Sequence, residues 1–331
     1  MRVVQATKFG GPEVLEVLET PDPVPGPGEV LVDVAAADVM FLDTRLRSGW
    51  GKEFFKVEPP YVPGGAIAGV VSAVGPDVDR SWLGKRVGTR TVASGIGGGL
   101  PIGGYAEKAL AEAEALVEVP EKVTLTQAVA LTHDGRTGLA VLDRVALRPG
   151  EWVLITAAAG GLGTLLTQFA HAAGARVVAA ARGRAKLDLA TRLGADAVVD
   201  YSEPDWAEQV RAATGGSGVD AVLDGAGGEL GVAAASALAA GGRFLGYGSA
   251  AGDFPDLDRE ALAQRDIEVI GLFDLTGPDT DWQALAERAL AAVAAGDVEV
   301  VIGQTFPLER AADAHAAIAD RTALGRTLLT I

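Results

Sequence analysis

The chain contains no cysteine. Disulfides, thiolate metal centres and a cysteine nucleophile are therefore excluded. Histidine is scarce too: the three residues are His133, His171 and His315, with no ligand spacing between them, so no catalytic metal is expected. Aromatic residues make up only 5% of the chain, while alanine and glycine abound. Packing must then rely on small side chains and close backbone approach. Long apolar runs are missing, and no segment reaches the length of a membrane span. The opening MRVVQATKFGG has too short an apolar run for a signal peptide. A cytoplasmic protein is the simplest expectation. Positive charge is also in deficit: 28 Lys and Arg stand against 44 Asp and Glu, a net −16. That argues against nucleic-acid and anionic-membrane partners. What the sequence does hold is length and apolar content. At 331 residues and 49% hydrophobic, it can bury a sizeable core and form two domains.

Patterning changes along the chain. Up to about Val123 it reads as short β-branched strands between Pro and Gly: Val14–Leu18, Glu29–Ala35, Ala68–Val74 and Lys85–Val92. Pro21–Gly28 is a surface loop, and Ser94–Gly104 is too glycine-rich for regular structure. From about Thr124, strands alternate with helices. The strands are Val153–Thr156, Val177–Ala181, Ala197–Val199, Ala221–Leu223, Phe244–Tyr247 and Glu268–Leu272. Lys186–Leu193, Trp206–Thr214 and Gly231–Leu238 are the helices between them. This alternation predicts an α/β fold with a doubly wound parallel sheet of Rossmann type. The tail breaks the alternation, with helices at Trp282–Ala295 and Glu309–Ala319 and a short strand near Val298–Val301. It is expected to return to the first domain. The domains read as 1–123 with 273–331, and 124–272.

The stretch VLITAAAGGLG, Val153–Gly163, carries the most chemistry. A short apolar strand meets a small-residue turn and then an amphipathic helix, the entry of a dinucleotide site. On the pattern G-x-G-x-x-G, Ala158 takes the first glycine place, Gly160 the second and Gly163 the third. A pyrophosphate would sit on the backbone N–H groups of Ala159, Gly160, Gly161, Leu162 and Gly163. After the next strand, where a ribose-binding carboxylate would stand, the chain reads Arg182, Gly183, Arg184, Ala185, Lys186. Basic side chains there suit a 2′-phosphate, which favours NADPH over NADH.

Six motifs, read in order, resemble the zinc-independent quinone oxidoreductases, the zeta-crystallin-like branch of the medium-chain dehydrogenase/reductase superfamily. They are FGGPEVLEV, FLDTRLRSG, GGYAEK, LRPGEWVLITAAAGGLG, GADAVVDY and GVDAVLDGAGG. The resemblance implies a β-rich GroES-like catalytic domain beside the Rossmann domain, a substrate held in the interdomain cleft, and a homodimer paired through strand 268–273. A zinc enzyme of this superfamily would carry Cys near Val39 and Gly-His-Glu where this chain has Gly64, Gly65 and Ala66.

By the same resemblance, Met40–Arg47 lines the nicotinamide and substrate. Asp43, Thr44 and Arg47 match the family, whereas Met40 replaces its usual Asn and Arg45 its usual Tyr. Arg45 offers a cation to a developing oxyanion, or it is solvated or paired with Asp43. Trp50, Phe54, Phe55 and Tyr61 wall an apolar planar slot or pack under the adjacent loop. Thr137 falls where the family hydrogen-bonds the nicotinamide end, or its hydroxyl back-bonds a carbonyl within the helix. His133, beside Asp134, is a candidate proton donor, or the pair belongs to the start of a helix. Lys186 and Tyr201 match the family's 2′-phosphate contacts, with Arg182 added from its place at the strand end. Gly225, Gly248 and Ser249 end two parallel strands, where ligands lie in such sheets, and are expected to touch the cofactor with Phe273; by the resemblance Arg326 faces it too. Arg326 can equally be read as a surface charge.

The expected activity is an NADPH-dependent, zinc-free transfer of hydride to a quinone or related conjugated carbonyl, an apolar small molecule. An enoyl reductase acting on an α,β-unsaturated thioester or ketone is the nearest alternative. A non-catalytic NADPH-binding protein is another.

Overall fold

A computed structural model describes residues 1–51, 55–91, 102–275, 277 and 280–331, with the side chain of Phe273 outside that description. Phe54 and most of the Ser94–Gly104 stretch therefore lie outside the described residues. The chain divides into two compact units, Met1–Gly135 with Ala286–Ile331, and Arg136–Leu285. The division falls inside a helix, whereas patterning puts the change of domain before that helix.

The first unit opens with β1 (Arg2–Ala6) paired antiparallel to β2 (Leu15–Glu19). Next come β3 (Glu29–Val39), α1 (Phe41–Ser48), β4 (Ala66–Val74), β5 (Arg86–Arg90), β6 (Lys108–Glu112), β7 (Val117–Glu118) and α2 (Leu125–Val145). β3 is the spine, pairing antiparallel with β4 and with β6. Alternation puts Val30, Val32 and Val34 in the core of this unit, but beyond them it is Ala37 and Val39 that face it. The parity switches because the β3–β4 register shifts between Val34 and Ala36. A bulge adds one residue and turns every later side chain to the opposite face. Asp38 is thereby directed away from the apolar core.

The second unit is the doubly wound sheet expected from the strand–helix alternation. Its elements are β8 (Trp152–Thr156), α3 (Gly161–Ala172), β9 (Arg176–Ala181), α4 (Arg184–Arg192), β10 (Ala197–Asp200), α5 (Trp206–Ala213), β11 (Val219–Asp224), α6 (Gly228–Ser236), β12 (Leu238–Gly246), α7 (Arg259–Ala263) and β13 (Glu268–Ile270). The spatial order is β10-β9-β8-β11-β12-β13, all parallel. The central strands are apolar on both faces, as parallel strands must be. Val153, Ile155, Val177, Ala179, Ala221 and Leu223 fill one core with Leu166 and Ala170 of α3. Leu154, Val178, Ala180 and Val222 fill the other with Trp206 and Val210 of α5. Small residues at the helix contacts let the helices lie close to the sheet, which offsets the shortage of aromatics.

The tail returns to the first unit. α8 (Trp282–Ala295) leads to β14 (Ile302–Pro307), α9 (Ala311–Ala319) and β15 (Arg326–Thr330). β15 pairs antiparallel with β3 and parallel with β14, completing a seven-stranded sheet. The strand expected at Val298–Val301 begins instead at Ile302, where the partner residue Arg326 first becomes available. Tertiary pairing overrides local propensity there.

Candidate active site

The second unit offers a site at the carboxyl ends of its strands. β8 ends at Thr156, and the chain turns through Ala157–Gly160 into α3. The left-handed residue of this turn is Ala157, at φ 51°, rather than Ala158, which occupies the first glycine place. Gly160 caps α3 without a side chain. Gly163 cannot be replaced, since a Cβ there would lie 2.5 Å from the Ala157 carbonyl oxygen. The first backbone N–H groups of α3, at Gly161, Leu162 and Gly163, have no intrahelical acceptor, and the helix dipole adds partial positive charge. Such an end accepts an anionic group. Thr137 lies partly buried on α2.

The basic residues stand one strand further along. Arg182 follows β9 and Tyr201 follows β10; their strands pair Ala181 with Asp200, and the Tyr201 amide donates to the Ala181 carbonyl at 3.3 Å. Lys186 lies in the first turn of α4. The sheet thus brings Arg182, Lys186 and Tyr201 into one neighbourhood. Arg184 is occupied by Asp188 at 2.7 Å. Asp200 accepts from the Gly183 amide and from Ser202. Burial opposes its ionisation, yet the Ser202 and Gly183 contacts and the nearby Arg182 hold it below the ordinary carboxylate range.

The loops leaving β11 and β12 touch. A Cβ on Gly248 would lie 2.8 Å from the Gly225 carbonyl oxygen, and one on Gly227 would lie 3.0 Å from the Ser249 Cα. Gly225, Gly248 and Ser249 are therefore brought together. Phe273 belongs to the short 3-10 turn Leu272–Asp274.

The first unit holds the remaining candidates, in two groups. Met40 precedes α1, and its amide donates to Asp43 Oδ2 at 2.8 Å. Arg45 stacks over Trp50, 4.7 Å from the ring centroid. Asp43, expected near the substrate, is 3% exposed and meets buried partners. Its Oδ2 meets the Tyr105 hydroxyl at 3.5 Å, and the same hydroxyl lies 3.0 Å from His315 Nε2. Burial pushes the Asp43 carboxyl up to about 7. It lowers His315 to about 3, helped by the field of Arg47.

The second group centres on Arg326, whose partly buried guanidinium lies between two carboxylates. Nε donates to Asp38 Oδ1 at 2.6 Å, Nη2 donates to Asp38 Oδ2, and Nη1 lies 3.2 Å from Asp134 Oδ2. His133 Nδ1 stands 3.4 Å from Asp38 Oδ2. Asp38 is fully buried; burial alone would raise it, but Arg326 and His133 keep it below its usual range. Asp134 is pushed up to about 6 by burial, which outweighs the attraction of Arg326. The cluster ties β3, α2 and β15 together.

Asp38, Tyr105 and His315 in this unit, and Thr156 and Asp224 in the other, were not singled out from the sequence as site residues. Two carried a signal. Asp38 is a lone acid in the small apolar run AAADVM, and Asp224 closes an apolar strand directly before a glycine loop.

This architecture, a GroES-like unit and a parallel nucleotide-binding sheet, defines a medium-chain dehydrogenase/reductase. Residues 26–121 match the family model for the alcohol dehydrogenase GroES-like domain, and residues 161–292 match the model described as zinc-binding dehydrogenase. A 2-haloacrylate reductase of Burkholderia sp is 33% identical over 97% of this chain and 96% of its own length. The quinone oxidoreductase of Sus scrofa is 32% identical over 100% of this chain and 98% of its own. The Escherichia coli quinone oxidoreductase solved as a complex with NADPH superposes at TM-score 0.89, with 28% identity and full coverage of both chains. The chain belongs to the quinone oxidoreductase family of the medium-chain dehydrogenases/reductases. The zinc in one family description does not suit these residues. There is no cysteine, and His133, His171 and His315 stand on α2, α3 and α9, with His133 against Asp38 and His315 against Tyr105.

Proposed function

We propose that the protein is an NADPH-dependent, zinc-free reductase that delivers hydride to a quinone or a related conjugated carbonyl. The observation that carries this reading is the pairing of the side-chain-free start of α3 with Arg182 and Lys186 beside it. The residues suit the cofactor. Gly160 would admit close approach, the first amides of α3 would hold the pyrophosphate, and Arg182 and Lys186 would meet the 2′-phosphate that distinguishes NADPH from NADH. Bound NADPH supplies the hydride. Reduction of a quinone then needs charge stabilisation at oxygen and a proton. Arg45, held over the Trp50 ring, is our candidate for the stabilising cation, with the indole as an apolar wall. Arg45→Met is accordingly expected to lower kcat while leaving NADPH affinity unchanged; an unaltered kcat would remove Arg45 from that role.

The test of the reading is NADPH oxidation with a panel of simple quinones, enones, enoyl thioesters and 2-haloacrylate. NADPH should outperform NADH in kcat/KM with quinones. Arg182→Ala and Lys186→Ala should each narrow that gap by about fivefold or more, the worth of a charge-assisted contact. Equal use of both cofactors would overturn the cofactor assignment, and turnover confined to activated C=C bonds would move the substrate class to enoyl compounds. We also infer a homodimer joined at the sheet edge formed by β13. We further infer a cytoplasmic location, which fractionation of cells expressing the full chain tests.

A further inference from the structure

Thr156 and Asp224 terminate neighbouring strands at a special place in the sheet. The order β10-β9-β8-β11-β12-β13 reverses direction between β8 and β11. That reversal is the switch point, where the crevice for a ligand opens. Thr156 ends β8 and Asp224 ends β11, and both are fully buried. The Thr156 hydroxyl donates to Asp224 Oδ1 at 2.5 Å. Its oxygen accepts from the amides of Gly225 at 3.0 Å and Ala226 at 3.1 Å. Asp224 accepts from the Ala226 amide at 3.1 Å and from the Gly227 amide at 3.1 Å through Oδ2. The Asp224 carbonyl takes the Tyr247 amide at 2.8 Å, and the Tyr247 hydroxyl returns to the Thr156 carbonyl at 3.1 Å. Even the start of α6 is shaped around the carboxylate, since a Cβ on Gly231 would stand 2.5 Å from Asp224 Oδ2.

These contacts saturate three consecutive amides of a glycine loop that would otherwise be free to move. A Gly-Ala-Gly segment has high conformational entropy, and a loop beside a ligand must be fixed before binding for affinity to be kept. We propose that Thr156 and Asp224 are positioning residues that lock the Gly225–Gly227 loop at the switch point in the form that receives the second mononucleotide half of the cofactor. The inference rests on the dinucleotide reading above. β8, β9 and β10 form the half that would take the adenosine end, and β11 opens the other half. The latch therefore acts on one half of the ligand only.

The experiment compares two probes, NADPH and adenosine 2′,5′-bisphosphate, by calorimetric titration of the full chain. Thr156→Val removes the hydroxyl at nearly constant shape. It should weaken NADPH by about tenfold, since buried donors lose their acceptor, and leave the bisphosphate unchanged. Thr156→Ser, which restores the hydroxyl, should recover most of the NADPH affinity. Asp224→Asn, which presents a donor or loses an acceptor at the Gly227 amide, should shift the same ratio in the same direction. Equal loss for both probes would reduce the pair to general scaffolding, and unchanged NADPH affinity in either folded variant would overturn the proposal. If Thr156→Val does not fold, the Asp224→Asn ratio decides. Failure of the wild-type protein to bind either probe would instead overturn the dinucleotide reading itself.

Discussion

Asp43 and His315 lie on either side of one buried phenol, and burial moves their protonation equilibria in opposite senses. Asp43 rises from 3.8 to about 7, so the folded chain holds its proton more tightly than the unfolded chain does. Its stabilising contribution is complete below 3.8 and is lost as pH rises through about 7. His315 falls from 6.5 to about 3, so the fold excludes its second proton. That contribution is complete above 6.5 and is lost as pH falls through about 3. Two variants separate the effects. Asp43→Asn should improve relative to wild type as pH is raised from about 5 to about 8, because it carries no ionisation penalty. His315→Gln should compare worst with wild type above 6.5 and recover toward acid. Urea denaturation at several pH values reads both differences, and a pH-independent difference in either would contradict the assignment. Neither residue was legible as a pair from sequence. Residues 43, 105 and 315 come from distant segments: α1 packs against α9, and Tyr105, just before β6, reaches both helices.

Among the elements, β3 shows where sequence reading stops. Its alternation Val30, Val32, Val34 is plain, but the register shift that follows leaves no mark in composition. Without that shift Asp38 would point into the apolar core. With it, Asp38 meets Arg326 on the neighbouring strand, where Leu328 is its register partner. This is why the ion pairs of Arg326 with Asp38 and Asp134 could not be read from the sequence. Conversely, the strand–turn–helix at Thr156–Gly163 was readable because its signal is local: a strand, small residues and a helix within a dozen positions. The Asp38–Arg326 pair has an energetic consequence. Arg326→Met leaves a fully buried carboxylate without its partner and should cost about 3–5 kcal/mol in chemical denaturation. The double variant Asp38→Leu with Arg326→Met should regain much of that loss, because the uncompensated charge is gone. Equal destabilisation by the double variant would mean that the pair matters only for packing.

At the scale of the whole molecule, the alternation in the second half of the sequence foretold the complete strand set of the parallel sheet, because each strand is paired with its sequence neighbours or lies one helix away. What it could not foretell is how that sheet is closed at its ends. β13 pairs with β12 on one side, and no described strand covers the other. It is only three residues long, Glu268–Ile270, with Glu268 exposed and engaged by Arg144 at 2.7 Å. A short edge carrying a charge resists indiscriminate pairing, yet its free backbone groups remain able to extend the sheet through a symmetric copy. The net charge of −16 disfavours association at long range, so a dimer must draw on local strand pairing and apolar contact. If the homodimer forms at this edge, sedimentation equilibrium at micromolar concentration will give a dimeric mass. Val269→Asp, at a partly buried side chain packed on the core of its unit, should shift it toward monomer through added charge at the edge, with a melting curve confirming that the variant folds. Raising the salt should strengthen the wild-type dimer, since screening weakens the repulsion between two acidic chains over distances beyond about 8–10 Å. A wild-type monomer under these conditions, or a Val269→Asp dimer of undiminished strength, would place the edge of this sheet in solvent.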